Sequence, residues 1–345
     1  MKTIDRISVL ITAYKNAELV KQCVDSLRTA FGGTLPEVVI VDDAAGDAPT
    51  RELAESYAAE GVKFAVMPEN GGFAGANNFG YPLCTREFVA LVNTDIVFRE
   101  EPFTALVEFM DAHPQAGVAQ GTVIVRNGQQ GADGRLNGCG SFLTPLGNNT
   151  CLGWLAPADD PVGSEARKCF AAYGAMFMIR RGVVESVPCG LFHGFFHTYY
   201  EEVNFCHRAW LAGWEVWYVP TPPVDHAHGA TMERFYARED VLKRFYRNIR
   251  FSYRTCFGWR GRLTVAPMFE LCAMAQAALQ LLRGNGTAFR AHWWALRDLR
   301  RLRGEAVAVR KAVQSARKVS DTELFRVVMR RRTWREFWDT VRSNV

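Results

Sequence analysis

The sequence predicts an α/β fold in which a largely parallel sheet carries a site at its strand ends, with a helical, basic region behind it. Three observations carry that expectation. Short β-branched apolar runs alternate with segments of helical periodicity through the front of the chain. Those runs end in polar or acidic residues, on the side where open α/β sheets bind ligands. Charge then changes sign, because residues 1–233 carry 16 Lys and Arg against 27 Asp and Glu, whereas residues 234–345 carry 25 against 9. The change of sign sets the expected boundary between a front domain, 1–233, and a basic helical region, 234–345.

Each element follows from its local pattern. "ISVLITAY" (7–14) is a continuous buried-strand run, and "NAELVKQCVDSLRTAF" (16–31) has helical spacing in Leu19, Cys23 and Leu27 and in Val20, Val24 and Leu27. "EVVIVDDAAGD" (37–47) is a second strand ending in acids, "VKFAVM" (62–67) a third, and "REFVALVNTD" (86–95) a fourth. The β-α-β order calls for parallel pairing through right-handed crossovers. Thr12, Tyr14, Asp42, Asp43, Asn93 and Asp95 all fall at the carboxyl ends of these strands. Taken singly, each acid is explained as a cap or turn residue. Taken together, three strands ending this way are better explained by a ligand.

Composition excludes several classes. The 345 residues are 48% hydrophobic with a formal net charge of +5, which fits one large domain or a domain with an appendage. Nine scattered cysteines, none spaced C-x-x-C, argue against a zinc module or disulfide framework and predict a reducing, cytoplasmic setting. The opening "MKTIDRISVLITAY" runs into a strand without a signal-peptide pattern. Gly71, Gly72 and Gly75 do not form G-x-G-x-x-G, and no G-x-x-x-x-G-K-[ST] occurs, which disfavours a Rossmann oxidoreductase and a P-loop NTPase.

Two features suggest chemistry. Asp95 in "LVNTD" is a hard oxygen ligand at a strand end, suited to a divalent cation that carries a diphosphate. His226 and His228 follow another strand, "WEVWYVP", and any pairing with Asp95 has to come from the fold. Glu201 and Glu202 stand side by side at the start of a short helix, where negative charge is favoured by about 0.3–1 kcal/mol. Adjacent carboxylates also raise one another's pKa, which brings a base nearer working pH.

In order and spacing, "SVLITAYKN", "VVIVDDAAGD", "NGGFAGANNFG", "ALVNTD", "YGAMFMIRR", "GLFHGFFHTYYEEVNFCHRAWLAGWEV" and "VDHAHGAT" resemble the family 2 inverting glycosyltransferases, in particular their rhamnosyltransferase-like branch. The resemblance covers roughly residues 6–232. It implies a glycosyltransferase A-type fold, Rossmann-like with a mixed, mostly parallel sheet, acting with Mg²⁺ or Mn²⁺ on a nucleotide-sugar donor, dTDP- or UDP-linked. Thr12, Tyr14, Asp42 and Asp43 would then line the nucleoside pocket, with Gly72, Asn77, Asn93 and Thr94 against the nucleotide-sugar. Asp95 and His226 would hold the metal. Glu202 would be the general base and Glu201 its partner at the acceptor. The sequence departs from the family where it has Glu202 for an aspartate, Asn204 for an acid, and "FHG" for "FDE".

The implied reaction transfers a sugar, L-rhamnose from dTDP-rhamnose as the leading donor, to a polyprenol-linked or growing cell-surface glycan. The alternatives are a UDP- or GDP-sugar transferase of the same fold, and a sugar-nucleotide-binding scaffold without turnover.

The rear has no such motif. "RFYAREDVLKRFYRNIRFSYR" reads as a basic helix interleaved with Phe and Tyr, and "LTVAPMFELCAMAQAALQLL" (263–282) as a buried or interfacial helix interrupted by Pro267 and Glu270. Ser320 to Glu323 forms a capping-box pattern, followed by Trp334, Phe337, Trp338 and Val341 at helical spacing. A membrane surface, peripheral at the inner face, or a second copy of the chain are the partners this composition suits. Charge alone supports nucleic acid, with no recognised binding fold, so none is expected.

Overall fold

The chain starts at the centre of its sheet and works outward. The computed structural model describes residues 2–43, 48–126, 132–227 and 237–330. Strands β1 (Ile7–Ala13), β2 (Glu37–Asp42), β3 (Lys63–Val66) and β4 (Phe88–Asn93) are parallel neighbours in the order β3-β2-β1-β4. Helices α1 (Ala17–Ala30), α2 (Ala48–Ser56) and α3 (Gly72–Gly80) form the crossovers. The order reverses between β1 and β4, and this is the switch point where such sheets open a crevice. Register puts Thr12 opposite Asn93 there.

Next come β5 (Ile96–Phe98), α4 (Phe103–Ala112), β6 (Ala116–Gln120), β7 (Val123–Val125), β8 (Arg135–Asn137), β9 (Ser141–Leu143), β10 (Asn149–Cys151), β11 (Trp154–Pro157) and β12 (Arg167–Lys168). They are followed by β13 (Met176–Arg180), α5 (Arg181–Ser186), α6 (Glu201–Leu211), β14 (Glu215–Tyr218) and β15 (Val224–His226). The main sheet has eight strands in the order β12-β14-β6-β13-β4-β1-β2-β3, with β13 antiparallel to both β4 and β6. A five-stranded sheet, β11-β8-β7-β15-β5, lies beyond the strand ends. The expected mixed, mostly parallel sheet is therefore present.

Both faces of the central strands are covered, which is why they read as unbroken apolar runs. Val9, Ile11, Val38 and Ile40 share one core with Val20 and Val24 of α1, while Leu10, Val39, Val41 and Leu91 point into the other. That second core holds Tyr200, Phe205 and Ala209 around α6 and runs on into Ile249, Phe251 and Phe257 of the rear. The rear consists of α7 (Arg238–Cys256), α8 (Trp259–Leu263), α9 (Val265–Leu282), α10 (Thr287–Arg301), α11 (Arg303–Ser315) and α12 (Asp321–Val328). Ser320 and Glu323 make the expected capping box at α12. The stripe Trp334, Phe337, Trp338 and Val341 lies outside the described residues, as do His228, Phe235 and Tyr236.

Much of the rear's positive charge is engaged internally. Arg247 pairs with Asp298 at 3.2 Å, Arg250 with Glu270 at 2.7 Å and Arg317 with Asp321 at 2.9 Å. Arg247 and Arg250 are buried. Helix α7 therefore packs inside the protein, and its aromatic residues belong to the core.

The chief work of α7 is on the turn before α6. His197, Tyr199 and Tyr200 all have positive φ (62°, 69° and 74°), a conformation that costs of order 1–3 kcal/mol for each non-glycine residue. The fully buried Asn248 offsets that strain: its Nδ2 donates to the carbonyls of Phe196 (3.1 Å), Thr198 (3.2 Å) and Tyr199 (2.7 Å). Arg247 Nη2 adds donations to Phe195 and Phe196. Removing the amide takes the donor from the Thr198 and Tyr199 carbonyls, so Asn248→Ala is expected to cost about 2–3 kcal/mol. That corresponds to about 3–4 °C in Tm by calorimetry, and an unchanged Tm would contradict this account of the turn.

Candidate active site

One side of the site is built from the ends of β1, β2 and β4. Thr12 and Tyr14 are partly exposed at the crevice. Asn16 Oδ1 accepts from the Tyr14 N–H at 3.1 Å, and its Nδ2 donates to Thr94 Oγ1 at 2.6 Å, tying the two strand ends together. Asp42 is fully buried at the end of β2. Asp43 accepts from the Gly71 N–H at 2.7 Å and also from Gly72, so it fixes the glycine-rich loop at the start of α3. Burial pushes the Asp43 carboxyl up to about 7 against the pull of those amides.

Gly72 has φ +65°, and a Cβ there would collide with both the ring and the carbonyl oxygen of His197. The same carbonyl accepts from the Ala74 N–H at 2.9 Å. Only glycine lets α3 and the strained turn approach this closely. Burial, then the nearby Arg244 and Arg247, push the His197 imidazole down to about 4, so it is neutral at physiological pH. Asn77 is buried, and its Nδ2 donates to its own helix at Phe73 O (2.8 Å).

Strand register brings the two sequence-predicted metal ligands together. β15 pairs antiparallel with β5, placing His226 opposite Ile96, and the Ala227 N–H donates to Asp95 O at 3.0 Å. His226 Nε2 then lies 3.3 Å from Asp95 Oδ1, with both side chains buried. The Nδ1 of His226 donates to Asn137 Oδ1 at 2.7 Å, which fixes the ring and aims Nε2 at Asp95. Asn137, at the end of β8, was not singled out by sequence reasoning, and its buried position in a short strand gives no local signal. Among the described residues no group of three or more His, Cys, Asp or Glu side chains converges. One carboxylate and one oriented imidazole fit a divalent cation whose remaining positions are filled by substrate phosphates and water.

Glu201 and Glu202 open α6, next to free N–H groups and the positive end of the helix dipole. Glu202 is partly exposed and its carboxylate packs over Gly174 at about van der Waals distance, 3.4 Å from where a Cβ would stand. The adjoining Ala175 carbonyl accepts from the Asn93 N–H at 3.0 Å, so the 173–175 segment joins the helix that carries Glu202 to the Asn93–Asp95 turn. Glu201 is buried, and its Oε2 has no hydrogen-bond partner among the described residues. Both carboxyls are raised above the ordinary range, first by burial, and Glu201 further by the charge of Glu202. Their titration belongs to the pair. Asn204, where the family has an acid, donates to Ser252 Oγ at 2.9 Å and accepts from Arg208 Nε at 2.9 Å. It is a buried tie between α6 and α7.

Residues 8–187 match the sequence profile described as Glycosyl transferase family 2. The chain belongs to glycosyl transferase family 2. Relatives in the family include the low-salt glycan biosynthesis hexosyltransferase Agl10 of Haloferax volcanii, 26% identical over 210 residues, 60% of this chain and 62% of that protein. Another is the amylovoran biosynthesis glycosyltransferase AmsE of Erwinia amylovora, 29% identical over 146 residues, 41% of this chain and 52% of that one. The chain thus spans less than two thirds of these relatives. Among solved structures, S. aureus TarS 1-349 in complex with UDP-GlcNAc superposes with a TM-score of 0.54 at 15% identity, covering 90% of each chain. GalNAc-T7 with UDP, GalNAc and Mn2+ gives 0.51 at 14% identity, covering 72% of this chain and 48% of that one. The fold is accordingly glycosyltransferase A-type.

The paired donors yield a direct test. Wild type is expected to gain thermal stability from Mn²⁺ together with a nucleoside diphosphate, and to lose that gain in EDTA. Asp95→Asn and His226→Ala should each abolish the metal-dependent part. An equal EDTA-sensitive shift in Asp95→Asn would remove Asp95 from the metal site.

Proposed function

We propose that this chain is a metal-dependent inverting glycosyltransferase acting in cell-surface glycan assembly, with Glu202 as general base. One observation carries the reading: a raised, partly exposed carboxylate just after a strained turn is linked, through residues 173–175, to the end of β4, where Asp95 meets His226. The glycan-biosynthesis relatives support the setting.

The chemistry follows from that placement. Thr12, Tyr14 and Asp42 would receive the nucleoside, and Gly72 would let the sugar diphosphate approach the backbone. Asp95 and His226 would hold Mg²⁺ or Mn²⁺, which when bound offsets charge on the diphosphate. Arg244, close enough to act on His197, places a further cation beside Gly72. The acceptor hydroxyl attacks the anomeric carbon from the face opposite the diphosphate. A C–O bond to the acceptor forms, the bond to the diphosphate oxygen breaks, and the hydroxyl proton passes to Glu202. Its raised pKa makes Glu202 a stronger base than a solvated carboxylate. Glu201 beside it is raised first by burial and then by the charge of Glu202, so it holds its proton more tightly than a solvated carboxyl. Tyr173 and the half-exposed Trp154 lie with ring centroids 5.8 Å apart and planes tilted by 45°, Tyr173 within the field of Glu202, an apolar wall suited to an acceptor sugar ring.

For the donor we favour a deoxyhexose linked to dTDP, L-rhamnose, on the motif resemblance. UDP- and GDP-hexoses are the alternatives, the first kept open by the UDP-GlcNAc held by TarS. We place the acceptor on a polyprenol-linked or growing glycan and the protein in the cytoplasm, peripheral at the inner membrane face.

The deciding experiment measures nucleoside diphosphate release from dTDP-, UDP- and GDP-sugars, with and without lipid extract, for wild type and Glu202→Gln. One donor should turn over, with kcat in the variant lower by about 10²–10⁴ and donor binding retained. The acidic limb of the kcat/KM profile should lie above the ordinary carboxylate range near 4.5, because the base must be ionised and burial holds its proton. Full activity in Glu202→Gln would end the assignment, and donor binding without turnover in lipid extract would favour the scaffold.

A further inference from the structure

Helix α9 presents apolar side chains on two sides. Val265, Phe269, Ala273 and Ala277 recur every four residues and are buried in the protein core. The opposite side exposes Met268, Leu271, Met274, Leu279 and Leu282, with Leu271 64% and Leu282 86% accessible. The only charged side chain from Val265 to Leu282 is Glu270, and it is paired with Arg250. At 18 residues the uncovered face is about 27 Å long. Trp259 and Leu263 of α8 extend it at 74% and 72% exposure. Monomeric surfaces seldom carry so long an uncharged patch without a partner.

Cations stand at both ends of this face. Arg260 and Arg262 precede it and Arg283 follows it, all exposed. Beside its first turn a pocket of about 250 Å³ is lined by Arg250, Tyr253, Arg254, Arg262, Ala266, Pro267 and Glu270. Arg250 is neutralised there by Glu270, whereas Arg254 and Arg262 make no ion pair with any described residue. The pocket thus holds two uncompensated guanidinium groups next to a lipid-like surface. We infer that α8 and α9 form a membrane-docking surface, lying in the plane of an anionic bilayer with a lipid phosphate drawn into the Arg254–Arg262 pocket.

Charge selects this partner over the others. The segment beyond Arg330 carries Arg331, Arg332, Arg335 and Arg342 against Glu336 and Asp339, so it is a poor cover for a face rimmed by arginines. A second copy related by a two-fold axis would bring the same arginines together. Nucleic acid would match the arginines but leave the leucines in water. The Trp259–Leu282 stretch, 24 residues, is long and apolar enough to cross a bilayer on length and composition. Crossing would strip Val265, Phe269, Ala273 and Ala277 from the core and bury the Glu270–Arg250 pair in hydrocarbon, so the in-plane placement is the one this fold permits.

This inference deepens the peripheral attachment proposed above by naming its surface and its lipid. The test is co-sedimentation of the full chain with phosphatidylglycerol vesicles and with phosphatidylcholine vesicles, for wild type, Leu271→Glu/Leu282→Glu and Arg254→Glu/Arg262→Glu. All four positions are exposed, and the melting curve of each variant checks its fold. Wild type should bind the anionic vesicles about ten-fold or more tightly than the neutral ones, and each variant should lose at least about ten-fold on the anionic ones. Equal binding by the variants would overturn the surface while leaving attachment by another part of the chain. No vesicle binding by wild type would overturn both. In that case a wild-type mass twice that of the leucine variant would assign the face to a second copy. A variant differing only in a lowered Tm would assign it to the chain's own C-terminal segment.

Discussion

Three consecutive-turn carbonyls, those of Phe196, Thr198 and Tyr199, converge on one buried amide, Asn248. Everything distinctive about the site depends on that convergence. The turn it holds contains three side-chain-bearing residues at positive φ, and from it α6 emerges with its first two carboxylates at the helix entrance. The same turn presents the His197 carbonyl to α3, which Gly72 alone among residue types leaves room for. Backbone strain, helix polarity and a glycine are thus coupled through one side chain on an element far along the sequence. The local cost is offset because the donors are preorganised inside a core that α7 shares with the sheet.

Electrostatically the site gathers carboxyls whose surroundings differ. Asp43, Glu201 and Glu202 are all raised, each chiefly by burial, within a fold that supplies helix entrances at α3 and α6. These acids have different partners, however. Asp43 is held by backbone amides of the glycine loop, while Asp95 faces an oriented imidazole.

The parallel strands, their polar ends and the switch point could be read from apolar runs and their terminators, because a strand buried on both faces has little choice of composition. The meeting of Asp95 and His226 could be suspected only from family resemblance. It rests on the pairing of β15 with β5, whose three-residue strands are too short to announce a register. Asn137 and Asn248 were invisible for the same reason: a single amide carries no periodicity, and its value lies in which distant carbonyl or imidazole it meets. The rear was partly misjudged by charge counting. Arg247, Arg250 and Arg317 add to the basic total yet are internal struts, so net charge overstated the cations that face outward.

The position of Asn248 in the chain has a consequence for biosynthesis. The ends of β1, β2 and β4 are made early, and Glu202 follows, but the amide that fixes its turn is translated only after β15. A domain assembled in order from its N-terminus acquires its long-range closures last. A nascent chain can therefore lay down the strand ends before the turn ahead of α6 is fixed. The helix that fixes the turn is followed directly in the chain by α8 and α9, so the turn closes just as the uncovered apolar face is made.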